Sequence, residues 1–281
     1  MRSLAGHDEL CCLNTATLGH REPIDVVAQR VVAAGFGQIT PWRRDIDEAH
    51  PERAAEAIRA AGLKVGGYAR TAFFTADDVA GRRDAVASNR RALEVAAVLG
   101  SPTLCAVVGG LAPTSRDLIG DRQQVLDGLA ALIPTIRATG VSIALEPLHP
   151  FYAADRSLLN TIAQARTWCE ILDPEQEGLF GIAVDAYHVW WDPDLEASIA
   201  AAGSRVQALH VCDWLRETRD PLLDRGMMGD GVVDLKGLRR SVEATGYAGP
   251  VEVEIFSKLD WWTRDPDEVL RVCRQRLDEC C

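Results

Sequence analysis

The sequence predicts one α/β domain with the (β/α)8 TIM-barrel fold over residues 1–281, and three observations support this prediction. Short apolar runs rich in β-branched residues alternate with Ala-rich helical segments along the whole chain, as strands alternate with helices in a parallel barrel. Several helical segments end in glycine, the residue that commonly closes a helix before the turn into a strand. No low-complexity tract or Pro-rich linker divides the chain into two domains.

The expected elements follow one another in strand–helix order. We expect strands near residues 9–16, 36–41, 63–70, 102–108, 141–146, 179–185, 205–213 and 250–256. Helices are expected within residues 22–35, 52–62, 82–100, 121–140, 157–172, 192–203, 234–246 and 265–277. An open doubly wound sheet is the alternative, but it usually has fewer units. It would also need a Gly-rich phosphate loop after the first strand, where residues 14–20 read NTATLGH.

Composition restricts the class of partner. The formal net charge of −11 and the pI of about 5.0 make nucleic acid an unsuitable ligand, because phosphate binding needs a basic surface. We find no apolar run of roughly 18 residues and no signal-peptide stretch at the N-terminus, so we expect no membrane span and a cytoplasmic location. The eight cysteines form no CxxC pair, so we expect small buried residues in a reducing compartment rather than zinc ligands.

Each of the last four strand-like runs ends in a side chain that can bind metal. The runs VSIALE, LFGIAVD, RVQALH and GPVEVE end at Glu146, Asp185, His210 and Glu254. Carboxyl ends of successive barrel strands converge on one point, and three carboxylates brought together repel each other unless a cation lies between them. One such residue alone is usually a solvated charge at a strand end, but four together indicate a divalent-metal site and an enzyme. The oxygen-rich set favours Mn²⁺, with Mg²⁺, Co²⁺ or Zn²⁺ as alternatives.

Five segments carry a resemblance to a known family: ALEPLHP, GIAVDAYHVWWDPDL, ALHVCDW, RGMMGDGVVDL and VEVEIFS. The chain resembles the xylose-isomerase-like TIM barrels over essentially its whole length, and most of all the sugar phosphate isomerase/epimerase branch with ketose 3-epimerases and inosose dehydratases. The resemblance implies that Glu146, Asp185, His210 and Glu254 bind one Mn²⁺-like ion. It also implies that the two glutamates are the catalytic acid/base pair on opposite faces of the substrate.

The resemblance further implies two substrate contacts. His188 matches a substrate-binding histidine three residues after the aspartate, and Arg216 matches an arginine six residues after the ligand histidine. A solvent-facing loop charge is the alternative for Arg216. Tyr152 departs from the pattern, because ketose epimerases often carry another glutamate at that position. This departure keeps an elimination reaction open beside epimerisation.

Other candidate site residues follow from their positions after predicted strands. His149 is expected to contact substrate or to be a solvated loop residue. Asp213 is expected to support a ligand or substrate, or to cap a loop. Aromatic residues near strand ends offer stacking surfaces for a sugar ring; these are Trp42, Tyr68, Phe73, Phe74, Trp190, Trp191, Trp214, Trp261 and Trp262. Asn14, Arg43 and Arg70 follow strands one to three and are expected at the pocket floor. The Gly-containing loop 219–231 is expected to cover the site or to bind phosphate through its backbone amides, although it contains no strong phosphate-binding motif.

These expectations lead to a divalent-metal-dependent isomerase or epimerase that removes a proton next to the carbonyl of a keto-sugar or keto-cyclitol through an enediolate. A lyase or dehydratase that eliminates water or an aglycone from an inosose or 3-oxo-glycoside is the first alternative. A non-catalytic sugar-binding barrel is the second. DNA-repair endonucleases of the same superfamily are disfavoured, because they bind three zinc ions through many histidines and this chain has six. The expected partner is a small carbohydrate or cyclitol, with room for a homo-oligomer or a small partner subunit.

Overall fold

The computed structural model describes residues 1–281 as a barrel of parallel strands enclosed by helices. The strands are β1 (Cys11–Asn14), β2 (Gln38–Thr40), β3 (Lys64–Val65), β4 (Tyr68–Ala69), β5 (Thr103–Ala106), β6 (Ser142–Leu145), β7 (Phe180–Asp185), β8 (Val206–Val211) and β9 (Val251–Val253). Their order in the sheet is β3-β2-β1-β9-β8-β7-β6-β5-β4. This is the order of a TIM barrel, and it confirms the predicted fold class.

The nine strands correspond to eight predicted ones, because β3 and β4 are two parts of the third barrel strand. Only Gly66 and Gly67 separate them, and β3 pairs with β2 while β4 pairs with β5. A Cβ atom on Gly66 would lie 2.8 Å from the Sγ of Cys12 in β1, so the strand is interrupted where its backbone passes close to a side chain of the barrel interior.

The helices around the barrel are α1 (Ile24–Ala33), α2 (Pro51–Ala60), α3 (Val79–Leu99), α4 (Leu118–Ala130), α5 (Ile133–Thr139), α6 (Ile162–Leu172), α7 (Ala186–Val189), α8 (Leu195–Ala202), α9 (Leu235–Ala244) and α10 (Pro266–Cys280). Residues 121–140, predicted as one helix, belong to two. Pro134 has no N–H to donate, so it is tolerated only in the first turn of α5. None of the helices combines the length and the apolar character needed to cross a membrane.

The core lies between the barrel wall and the inner faces of the helices. Every residue of β1, β5, β7 and β9 is buried. All eight cysteines are free thiols, and all but Cys280 are buried. Strands β6, β7, β8 and β9 are consecutive neighbours in the sheet, so their carboxyl ends form one continuous half of the barrel mouth.

Candidate active site

Four buried side chains meet at the carboxyl ends of β6 to β9. Glu146 directly follows β6, Asp185 ends β7, His210 lies at the end of β8 and Glu254 directly follows β9. Asp185 and His210 are paired in register, which places their side chains next to each other. One potential ligand atom from each of the four lies within 4.8 Å of the others. The residues predicted as a metal-ligand set are therefore brought together at one point.

Electrostatics at this point favour a bound cation. His210 Nδ1 lies 2.9 Å from Glu146 Oε1. Burial would raise the pKa of Glu146, but the hydrogen bond and charge of His210 outweigh it, and the pKa is lowered. Burial raises the pKa of Glu254, with the Glu146 charge adding to the effect. Because three carboxylates share this buried cluster, a divalent cation fits it better than further protons do. The three oxygen donors and one imidazole suit Mn²⁺, Mg²⁺ or Co²⁺, and Zn²⁺ is compatible with the imidazole.

A cavity of about 350 Å³ opens above the quartet. This volume lies at the small end of the range for ligand pockets and suits a molecule the size of a monosaccharide. Glu146 and Glu254 line it together with aromatic and charged side chains, which include His20, Trp42, Arg70, Tyr152, Arg156, His188, Arg225, Phe256 and Trp262. Asp185 and His210 lie below this wall. The two glutamates are thus the members of the quartet that face a bound substrate.

Asn14 and Glu252 support Glu254 from below, and the sequence analysis missed Glu252. Asn14 Nδ2 donates to Glu252 Oε1 at 2.7 Å and to Glu254 Oε1 at 3.0 Å. Thr40 Oγ1 donates to Glu252 Oε2 at 2.6 Å. Asn14 therefore orients Glu254 and does not line the cavity as predicted. The VEVE pattern contained the signal for Glu252, because alternate residues of a strand share a face.

A family comparison agrees with this geometry. The model of the xylose isomerase-like TIM barrel family matches residues 28–276, which is most of the chain. The chain belongs to the xylose isomerase-like TIM barrel family. The resemblance seen in the sequence is thereby confirmed at the level of the family.

Individual relatives of this family differ in their closeness to the chain. The crystal structure of protein SMc04130 from Sinorhizobium meliloti 1021 superposes with a TM-score of 0.93 at 46% identity, covering 98% of this chain and 99% of that one. The IolI protein with a bound zinc atom gives a TM-score of 0.81 at 20% identity, with 96% and 97% covered. D-psicose 3-epimerase from Clostridium cellulolyticum H10 gives 0.77 at 16% identity, with 96% and 97% covered. At such identities the last two show the fold alone.

Among curated relatives, L-ribulose-5-phosphate 3-epimerase UlaE of Shigella flexneri is 25% identical over 154 residues. The match covers 54% of this chain, and the chain spans about half the length (49%) of that relative. Sugar epimerases and isomerases are thus near neighbours of this barrel.

Arg225, and not Arg216, is the arginine beside His188. Arg216 is exposed and does not line the cavity. Asp213 and Gly226 exchange two backbone hydrogen bonds of 2.9 Å, which fold the loop back so that residue 225 enters the barrel mouth. Arg225 Nη2 lies 3.2 Å from His188 Nε2. Arg216 is therefore the solvent-facing loop charge that the sequence left as an alternative, and the count of six residues after His210 ignores this tertiary fold of the loop.

Arg225 also holds two members of the quartet. Its Nη1 lies 3.1 Å from Asp185 Oδ2 and 3.3 Å from Glu254 Oε2. Its guanidinium carbon lies 4.4 Å from the ring centroid of Tyr187 and 4.7 Å from that of Phe256. This packing fixes a planar cation next to two buried carboxylates.

Arg225→Met is expected to lower the free energy of unfolding by about 3–5 kcal/mol in metal-free protein, because it leaves two buried carboxylates without their counter-charge. Urea unfolding of the chelator-treated variant measures this change. Arg271→Met removes an exposed arginine of α10 and is the matched control, with an expected change within about 0.5 kcal/mol. Equal losses in the two variants would show that the Arg225 ion pairs do not stabilise the site.

His188 is a buried, neutral ring on the cavity wall. Burial lowers its pKa to about 4. Its Nδ1 lies 3.3 Å from the backbone N–H of His149, and its Nε2 lies 3.2 Å from the Arg225 guanidinium, which can only donate. Nε2 lies 3.6 Å from Asp185 Oδ2. His188 therefore lies where the quartet meets the cavity, and its contact with substrate stays a prediction.

Tyr152 and Trp42 line the cavity, in agreement with their predicted positions. The Tyr152 hydroxyl donates to the carbonyl of Pro221, and its ring lies edge-on to His188 with centroids 5.8 Å apart. The hydroxyl of Tyr152 is therefore already hydrogen-bonded, and the cavity has no carboxylate at this position, where epimerases often have one. Trp42 makes an edge contact with Phe256 at 5.3 Å, so both rings belong to one aromatic wall.

His149, Asp213 and Arg43 stay outside the cavity. His149 stacks on Trp214 with centroids 4.9 Å apart, and its Nδ1 accepts from a backbone N–H at 3.1 Å. Asp213 accepts from the backbone N–H groups of Gly229 and Val233 at 2.9 and 3.0 Å. Arg43 binds a nearby glutamate at 2.6 Å. The first two order the loops over β6 and β8, which agrees with the loop alternatives that the sequence left open for His149 and Asp213.

Proposed function

We propose that the protein is a divalent-metal-dependent isomerase or epimerase that moves a proton on the carbon next to the carbonyl of a keto-sugar or keto-cyclitol. One observation carries this proposal: Glu146 and Glu254, from strands β6 and β9, face the same small cavity as members of a buried four-residue ligand cluster. A reaction that takes a proton from one face and returns it to another needs two such carboxylates.

The metal would be held by Glu146, Asp185, His210 and Glu254, with Mn²⁺ as the proposed ion. When bound, a divalent cation supplies charge that polarises the carbonyl and makes the neighbouring C–H more acidic. One glutamate then accepts the proton and the other returns it. The imidazole of His188 and the guanidinium of Arg225 orient the substrate oxygens, since both polar groups lie on the cavity wall.

The aromatic side chains of the cavity wall have a different role in this proposal. Trp42, Tyr152, Phe256 and Trp262 limit the entry of water and offer apolar faces to the C–H groups of a ring. Exclusion of water protects the intermediate anion from protonation at the wrong place. The names of the related proteins, L-ribulose-5-phosphate 3-epimerase and D-psicose 3-epimerase, describe chemistry at a carbon next to a ketone and support this assignment.

Deuterium incorporation tests the proposal. The Mn²⁺-loaded protein is incubated in ²H₂O with ketohexoses, ketopentoses, inososes, 3-oxo-glycosides, ketose phosphates and keto-uronates. The metal is then removed by chelation, and the recovered sugar is analysed by NMR and mass spectrometry. We expect one deuterium on the carbon next to the carbonyl, together with a new epimer or isomer. Release of water or an aglycone would assign elimination instead, and unchanged sugar in every case would leave a binding protein.

A further inference from the structure

Positive charge is concentrated in the cavity, although the whole chain has a net charge of −11. The only acidic groups on the cavity wall are Glu146 and Glu254, which belong to the ligand quartet. Cationic side chains outnumber them and come from the loops after β2, β4, β6, β8 and β9; these are Arg44, Arg70, Arg156, Arg225 and Lys258. The charge of the cavity wall is thus opposite in sign to that of the whole chain, and it favours a negatively charged ligand.

Most of these cations have no strong acidic partner. Only Arg225 forms close ion pairs, and its partners are Asp185 and Glu254. Arg156 has one distant carboxylate contact, at 3.9 Å. Arg70 forms no ion pair, and its guanidinium donates one hydrogen bond, to the Thr71 carbonyl at 3.1 Å. Most of its donor groups are therefore free.

Arg70 is also held in place by the cavity wall. Its guanidinium carbon lies 4.7 Å from the ring centroid of Phe73 and 5.9 Å from that of Trp42. The residue is partly buried, and burial together with the nearby charge of Arg156 lowers its pKa. Two like charges around one partly desolvated space are unfavourable until an anion is present.

We propose that the Arg70 side of the cavity binds an anionic group of the substrate, so that the substrate is an acidic keto-sugar or keto-cyclitol: a phosphate ester or a carboxylate. This inference rests on the proposed function and narrows its substrate class. Arg70 directly follows β4, and His210 lies on β8. These two strands are four positions apart in a barrel of eight, so Arg70 and His210 lie on opposite sides of the barrel mouth. A substrate with its carbonyl at the quartet therefore extends its far end towards Arg70.

A binding measurement tests the anion site without any turnover. The purified protein is titrated with inorganic phosphate, and binding is followed by calorimetry and tryptophan fluorescence. Arg70→Met is expected to weaken phosphate binding roughly 10- to 100-fold, the usual effect of losing a charge-assisted hydrogen bond. Arg59→Met, which removes an exposed arginine near the end of α2, is the matched control and should bind as the wild type does. Phosphate affinity that is equal in wild type and Arg70→Met would overturn the proposal.

Arg156→Met provides a second test, because its side chain does not share the packing of Arg70 on Phe73. A loss of phosphate affinity in this variant supports the site even when Arg70→Met folds poorly. Unchanged affinity in Arg156→Met and in a folded Arg70→Met contradicts it.

Deuterium exchange then separates the two kinds of anion. Neutral ketoses, ketose phosphates and keto-uronates are compared at equal concentration. We expect ketose phosphates or keto-uronates to be exchanged faster than neutral ketoses, and the faster of these two classes identifies the anionic group as phosphate or carboxylate. Arg70→Met is expected to raise KM for that class while kcat changes little. Faster exchange of neutral ketoses, unaffected by Arg70→Met, would overturn the inference and leave the proposed function standing. Exchange of no ketose at all would defeat the proposed function, and the phosphate titration alone would then decide on the anion site.

Discussion

Replacing Glu254 by Gln is expected to lower kcat by roughly 10²- to 10⁴-fold, because a positioned proton-transfer group commonly contributes that much and an amide cannot take its place. Glu146→Gln is expected to have an effect of the same order. Both side chains face the cavity, and glutamine keeps nearly the same volume, so the barrel should remain folded. Steady-state kinetics with the substrate found by deuterium exchange measures the loss.

Two controls make this result specific. Glu196→Gln changes an exposed glutamate on α8 and should leave kcat at the wild-type value. Metal content, measured on each purified variant, separates a lost ligand from a lost acid or base. A wild-type kcat in folded Glu146→Gln or Glu254→Gln would remove that residue from the mechanism.

The quartet was readable in the sequence because each member closes a short apolar run. Strand ends are local features of a sequence. Once the barrel order is recognised, the ligand quartet can be predicted without the loop geometry, because its members lie at the ends of strands: Glu146, Asp185, His210 and Glu254. The same locality explains why the strand positions agree with prediction, although Gly66 and Gly67 split the third one.

Loop residues were predicted less well, because their positions depend on contacts that are distant in sequence. The backbone N–H of Arg225 donates to the carbonyl of Phe256 at 2.9 Å, and Gly226 bonds to Asp213. Neither contact leaves a pattern in the local sequence, so counting from His210 selected Arg216. For Asp213, the sequence left a loop-capping role open, and the structure agrees with it, because this carboxylate accepts hydrogen bonds from two backbone N–H groups of its loop.

Removal of divalent metal is expected to abolish turnover and to lower the melting temperature. A ligand that binds only the folded state stabilises it by about 2.7 kcal/mol when its concentration is about 100 times its Kd. For a chain of this length, such a loss corresponds to a decrease in Tm of roughly 5–10 °C. Without the cation, repulsion within the buried carboxylate cluster acts in the same direction. Dialysis against a chelator, followed by calorimetry and the deuterium-exchange assay, measures both effects.

Readdition of Mn²⁺ should restore both activity and Tm, and Mg²⁺, Co²⁺ and Zn²⁺ added in parallel rank the ions by the rate each supports. Asp185→Asn serves as the control, because it removes one charged ligand that does not line the cavity. The Tm of this variant should respond far less to chelator and to Mn²⁺ than that of the wild type. The metal content of the wild type is reduced to trace level for this test. If Tm and the exchange rate then stay unchanged, the quartet does not need a bound cation. Retained metal dependence in Asp185→Asn would place the ion at other side chains.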